Sequence, residues 1–344
     1  MLKTGRIALL AAGTVWLAGS PGQALSSAPD PLGDALALLQ TDPSAAVAAL
    51  ELLVAAGDAE ATASLASVLE ITGGDLERSE RLWTQALRDS SQNARLNIGM
   101  RRLANDDPAD DAEAVAWLKG LDEMYQPAAA YPLGRAYLLG AGVQQDLEKE
   151  TRLIQTAVRA DPGNIDAQFL LGRAYQYGWG VPVDLDAART HLTLAADSGD
   201  PRAQWSLGML LIDGGAPTDL ATAYRYVRQS AEQNFESGMI SLAVMLAMGQ
   251  GVAPDPAEAR LWYARTAESG SAHALRALGM MILVGEGGAS DPVKGAAYVE
   301  LAAEGGDANA ATLLRQFAEP LSQLPRTDID AAKAKWGKDH GAPR

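Results

Sequence analysis

The chain contains no cysteine, only three histidines and only three phenylalanines. Without a thiol it can form no disulfide, no zinc–thiolate centre and no cysteine nucleophile. His191, His273 and His340 stand too far apart to pair at metal-binding spacing, and no His-Glu-x-x-His run occurs. Cations are also scarce: 28 Lys and Arg face 43 Asp and Glu, for a net charge of −15. That balance argues against nucleic acid or an anionic membrane surface as the main partner. Neither a G-x-S-x-G elbow nor an S-x-x-K pair is present, so both hydrolase motifs are missing. The many Gly-x-Gly pairs lack the third glycine and the trailing Lys-Ser/Thr of phosphate loops. In the nearest approach, Gly285-Glu286-Gly287-Gly288, the glutamate would repel a phosphate. The acidic run from Asn105 to Asp111 lacks the alternating ligands and closing Glu of a calcium loop, so it reads as a solvated connection with a helix cap. The expectation is a non-enzymatic protein with no catalytic residue, no cofactor and no metal.

What the chain does have is a repeat. Leu-Gly or its equivalent recurs at Leu133-Gly134, Leu171-Gly172, Leu207-Gly208, Leu242-Ala243 and Leu278-Gly279, in steps of 38, 36, 35 and 36 residues. Seven residues after each Leu stands a glycine (Gly140, Gly178, Gly214, Gly249, Gly285), placed to end a helix in the left-handed conformation. A helix-starting aspartate follows each one: Asp146, Asp184, Asp219, Asp255 and Asp291. Within one unit Ala167, Leu171, Gly172 and Tyr175 share a helical face, as do Ala188, Leu192, Ala195 and Ala196. Gly172 leaves room for a second helix to approach. A single hairpin cannot cover both of its faces, so the units must stack, and a period in this range denotes a solenoid.

The pattern divides the chain. Residues 1–24 read as a secretory signal peptide: Lys3 and Arg6, an apolar run over 7–19, then small residues that set cleavage after Ala24 or Ala28. The run is short for a membrane span, and no later stretch is long and apolar enough to cross one. Leu17-Ala18-Gly19-Ser20 has the form of a lipoprotein box with Ser in place of the lipid-bearing Cys. The mature chain is thus expected in the periplasm, without an anchor. Residues 25–57 supply N-terminal capping helices, over 31–40 and 44–56. Residues 58–126 hold divergent repeats, with helices over 59–72, 77–88, 95–104 and 112–124 and Ile98-Gly99 at the Leu-Gly position. Residues 127–306 hold the clear repeats. Residues 307–344 form a last first helix stopped by Pro320, a capping helix with Leu321, Leu324, Ile329, Ala332 and Trp336 at helical spacing, and a frayed tail from Gly337.

The residues Ala167, Leu171, Gly172, Tyr175, Gly178, Gly180, Val181, Asp184, Ala188, Ala195, Ala196 and Gly199, with Ala259, Trp262, Ala267 and Gly270 in a later unit, resemble the pattern of Sel1-like repeats, relatives of the tetratricopeptide repeat. The resemblance implies an all-α fold, a right-handed α/α superhelix of helical hairpins, used as a protein-interaction scaffold. Bacterial envelope members of the family, among them the scaffold lipoprotein of alginate export, serve exopolysaccharide synthesis and export. This chain differs from that lipoprotein in lacking the anchor cysteine. Three functions are therefore compared: a periplasmic scaffold for envelope proteins in envelope or exopolysaccharide assembly or its regulation, an accessory that touches the polysaccharide itself, and a weak hydrolase of the β-lactamase-like Sel1 type.

In tetratricopeptide-like stacks the first-helix face lines the inner groove, and the resemblance implies the same here. Two positions per unit lie on that face, two residues before and two after the conserved Leu. The earlier reads Leu96, Tyr131, Phe169, Trp205, Ile240, Arg276; the later reads Met100, Arg135, Arg173, Met209, Val244, Met280. Tyr131, Arg135, Phe169, Arg173, Gln176, Tyr177, Trp205 and Met209 form the candidate partner-binding groove, since aromatics and arginines are enriched at binding hot spots and stack on sugars or peptide side chains. The same aromatics could instead pack between neighbouring first helices. His191 replaces the Trp262 and Tyr298 of sister units, a packing position. The methionines 239, 245, 248, 280 and 281 read as core filling, with an adaptable surface as the second reading.

Overall fold

The computed structural model describes residues 30–103, 108–123, 127–214 and 217–341. The signal-peptide and cleavage readings, and residues 104–107 of the acidic loop, lie outside them. All regular structure among the described residues is helical. The helices are α1 (Pro31–Ala37), α2 (Pro43–Ala55), α3 (Ala59–Ile71), α4 (Leu76–Arg88), α5 (Gln92–Arg102), α6 (Pro108–Glu123), α7 (Ala130–Leu139), α8 (Leu147–Ala160), α9 (Ile165–Tyr177), α10 (Leu185–Asp197), α11 (Pro201–Asp213), α12 (Pro217–Glu232), α13 (Glu236–Met248), α14 (Pro256–Glu268), α15 (Ala272–Val284), α16 (Pro292–Glu304), α17 (Ala308–Gln316), α18 (Ala318–Ser322) and α19 (Arg326–His340). Short 3₁₀ turns, Leu38–Gln40 and Pro127–Ala129, join α1 to α2 and precede α7.

The chain divides into two compact units. The first comprises Met1–Ala167 with Tyr177–Val183; the second comprises Gln168–Gln176 with Asp184–Arg344. In the first, α3 packs on α4 and α7 on α8, with α5 paired to α6. In the second, α11 to α16 pack each on the next, and α19 lies along α16. Each unit is thus a row of helical hairpins; the second shares one continuous core, and the first holds two, one around Leu65 and one around Leu118.

The local causes are visible in the caps and the glycines. Asp146, Asp184, Asp255 and Asp291 each cap a second helix, their carboxylates accepting backbone N–H bonds from the first turn. The glycine of each Leu-Gly pair faces a second-helix side chain. A Cβ there would stand 2.7 Å from Leu192 at Gly172 and 2.5 Å from Val227 at Gly208, so nothing larger fits. The second glycine of each Gly-x-Gly pair has a separate task that spacing did not disclose. At φ +64, Gly180 brings the loop onto the first turn of α8, where a Cβ would meet Leu147 O at 2.3 Å. Gly251 and Gly287 dock in the same way on the first turns of α12 and α14.

Three expectations are corrected. Gly214 stays right-handed (φ −66), and α12 begins at Pro217, so Asp219 lies inside the first turn instead of capping it. The connection is too short for the usual turn, and Asp219 pairs with Arg189 at 2.8 Å instead. Pro320 does not stop a helix: α17 has already ended at Gln316, and Pro320 sits in the first turn of α18, where its missing N–H costs nothing. The tail is helical to His340, because Trp336 packs edge-on against Tyr298 at 4.9 Å and His340 stacks on Trp336 at 4.0 Å.

Candidate functional site

Tyr131 and Arg135, half-buried on α7, belong to the first unit. So does Tyr177, 52% exposed and stacked on Trp179 at 5.5 Å. Phe169, Arg173, Gln176, Trp205 and Met209 belong to the second. Phe169 is only 8% exposed. Its ring lies under two guanidinium groups, Arg202 at 4.7 Å and Arg173 at 5.8 Å. Arg202 is itself held by Asp200, the N-cap of α11. Trp205 is half-buried; its Nε1 donates to Ser241 Oγ at 2.9 Å, and its ring meets Phe235 at 6.0 Å. Ser241 also contacts Met209 Sδ at 3.8 Å. Gln176 buries its Oε1 without a hydrogen bond.

These contacts follow a register. In three units the residue two before the Leu meets the start of the next first helix: Phe169 meets Arg202, Trp205 meets Phe235, and Arg276 pairs with Asp307 at 3.1 Å. Asp307 caps α17 as well. The position therefore stitches neighbouring hairpins together, while Arg173 and Met209, at the later position, stay half-exposed beside it.

His191 is a packing residue. It stacks on Tyr175 (5.8 Å, planes 7° apart), bonds Gln168 Oε1 at 2.7 Å, and burial lowers its pKa. The methionines split: Met239, Met245 and Met281 are buried, whereas Met248 is 69% exposed. Among the described residues no group of acids and histidines is placed to hold a metal, and no helix is long and apolar enough to cross a membrane.

One residue was missed entirely. Glu150 on α8 stands where sister helices carry Ala188, Ala223, Ala259 and Gly295, and it is fully buried. Its Oε1 has no partner, and Oε2 lies 2.9 Å from Thr151 Oγ. Thr151 Oγ donates to the carbonyl of Trp179 at 2.6 Å. A carbonyl only accepts, and the hydroxyl has one proton, so the Glu150–Thr151 contact is a good bond only if Glu150 supplies the hydrogen. Burial pushes its pKa up to about 7, in the same sense. A carboxylate at a position that reads Ala or Gly in its sisters was the available signal.

Stacked helical hairpins with caps and turns at fixed intervals define an α-helical repeat protein. Residues 127–149, 165–200, 201–235, 237–271 and 272–307 each match the Sel1 repeat family. The chain is a Sel1-repeat protein. The hairpins before Pro127 have the same helical form and lie outside the matches. Among solved structures it is similar to a Sel1 repeat protein from Oxalobacter formigenes, at 23% identity and TM-score 0.59, over 72% of this chain and 96% of that one. It is also similar to c5321, a protective antigen of uropathogenic Escherichia coli with the same repeat fold, at 18% identity and TM-score 0.50, over 90% and 84% of the two chains. These likenesses concern the fold. No curated protein matches the sequence. Sel1-repeat proteins are in general protein-interaction scaffolds, and the fold is typically non-catalytic.

Proposed function

We propose that this protein is a non-catalytic scaffold of the bacterial periplasm that docks partner proteins on the first-helix faces of its repeats, in envelope or exopolysaccharide assembly or its regulation. The observation that carries the reading is the division of labour on that face. In the second unit the earlier position, at Phe169, Trp205 and Arg276, is spent on stitching hairpins, while the later one, Arg173 and Met209, retains exposure, as Tyr131 and Arg135 do in the first unit. Arginines and aromatics held in place by packing are poor choices for a merely solvated surface and good ones for a partner. Export rests on Lys3, Arg6 and the apolar run with its small-residue end.

The test is crosslinking and capture from the envelope fraction with the full chain. Replacing Arg135 and Arg173 together by Ala should release the captured partner and leave the melting temperature nearly unchanged. Equal loss of stability, or undiminished capture, overturns the groove assignment. The mature N-terminus, read by mass spectrometry, should be Leu25 or Pro29; an intact Met1 overturns the periplasmic placement. Affinity electrophoresis against an acidic polysaccharide decides whether glycan is touched directly.

A further inference from the structure

Two first helices of the second unit rest on the core through half-buried apolar side chains and end in apolar side chains that the core leaves exposed. On α13, Glu236, Ile240, Val244 and Met248 recur every fourth residue and so lie in one row. Met280 and Val284 continue the corresponding row of α15, and Trp205 and Met209 that of α11, ending in Asp213. Ile240, Val244 and Met280 are half-buried, while Met248 and Val284 are 69% and 68% exposed. The rows span about 18 Å on α13, about 12 Å on α11 and about 6 Å on α15. Met248 and Val284 occupy the last position before the left-handed glycine, where a water-facing residue would suffice, as Asp213 does in the neighbouring repeat.

At the ends of these three rows the exposed charges are acidic. The border cations are neutralised by the chain's own acids, Arg202 by Asp200 and Arg276 by Asp307. The carboxylates are not neutralised. Glu236 heads the α13 row, Asp213 ends the α11 row, and Glu286 stands two residues beyond Val284; all three are exposed, and no described Lys or Arg pairs with any of them. An apolar strip edged by unpaired acids, on a chain of net charge −15, selects against an acidic or purely polar partner. Resting on the scaffold reading above, we infer that this face of α11, α13 and α15 docks a cationic amphipathic helix. The helix lays its i, i+4 apolar residues across Val244, Met248 and Val284 and sets Lys or Arg against Glu236, Asp213 and Glu286. Met248 and Met280 let the surface adapt to side chains of different shape.

The experiment uses the full chain and two fluorescein-labelled 18-residue peptides with the same amphipathic pattern, one of Leu and Lys, the other of Leu and Glu. The Lys peptide should bind at least tenfold more tightly by fluorescence anisotropy at low salt. Met248→Lys with Val284→Lys should weaken it at least tenfold. Both sites are exposed, so the melting curve should not move. Leu52→Lys with Ile71→Lys, which adds the same charge at exposed apolar sites of the first unit, should leave binding unchanged. Equal binding of the two peptides, no binding of either, or equal weakening by both double variants overturns the inference. Envelope capture separates its failure from that of the scaffold reading. A partner retained by the Met248/Val284 variant and released by the Arg135/Arg173 variant leaves the scaffold standing and removes this face from it.

Discussion

Glu150 sets up an unusual dependence of stability on pH. In the folded chain its carboxyl titrates near 7, because burial disfavours the charged form, against about 4.5 in the unfolded chain. Between those values the folded state holds a proton that the unfolded state has released. Raising the pH therefore favours unfolding, so the stability contributed by the neutral acid is complete below about 4.5 and lost as the pH passes through 7. At ~1.4 kcal/mol per pH unit over this interval, the loss amounts to about 3 kcal/mol. The curve should then level off, since both states are ionised. His191 and His273, whose pKa values burial lowers, act in the opposite direction over part of this range.

The informative quantity is therefore the difference between the wild type and Glu150→Gln. The amide does not titrate and can still donate to Thr151, so the Thr151–Trp179 bond is kept. Urea unfolding followed by far-ultraviolet circular dichroism, at half-unit steps from pH 5 to 8.5, should show the wild type losing about 2–3 kcal/mol relative to the Gln variant as the pH rises. Glu150→Ala, which installs the sister repeats' residue, should follow the Gln slope and be at least as stable as the wild type at pH 8.5. Parallel curves for wild type and Gln variant would refute the reasoning, because they require a Glu150 that is already ionised, or solvated, at pH 5.

Gly180→Ala and Gly199→Ala separate backbone strain from packing. Both residues have positive φ, but a Cβ at Gly199 meets nothing within 4 Å whereas one at Gly180 strikes Leu147 O. Each should lose about 1–2 kcal/mol to the left-handed conformation, and Gly180→Ala a further 1–3 kcal/mol or so to overpacking, read as a difference in urea midpoint. Equal losses would deny the loop docking. Glu60→Ala should cost about 1–3 kcal/mol, because Glu60 accepts from Ser91 Oγ and from the Gln92 and Asn93 amides at the start of α5; an unchanged melting temperature would show that water replaces it. Trp205→Phe should cost about 1 kcal/mol for the bond to Ser241, while Trp205→Ala, which also empties the contact with Phe235, should cost roughly 3 kcal/mol or more in the same melt.

The period was legible because each of its marks has a local cause. A left-handed turn demands glycine, a helix start rewards aspartate, and a helix crossing demands a missing Cβ, so Gly178, Asp184 and Gly172 could be placed without coordinates. Where one mark lost its cause the reading failed. Gly214 keeps the spacing but lacks a second glycine two residues on, and the shortened connection moves the start of α12 ahead of Asp219. Pro320 was misplaced because a proline near a helix boundary is equally at home in the first turn of the next helix. The docking of Gly180, Gly251 and Gly287 onto preceding second helices joins residues about thirty apart, a relation that local spacing does not carry.

The binding face was half legible for a related reason. Helical periodicity assigns a residue to a side of its helix, but it does not say whether the next repeat then covers that side. Phe169 and Trp205 occupy equivalent positions and look alike in sequence. One is covered because its neighbour is the Asp200–Arg202 pair; the other remains half-open beside Phe235 and Ser241. The same limit applies to the methionines, of which Met245 and Met248 are three residues apart and have opposite fates. Exposure in a stacked repeat is decided by the pair of residues at one register in two successive units. A reading that compares equivalent positions between units, as the Ala-to-Glu change at Glu150 invites, therefore reaches further than one that follows a single helix.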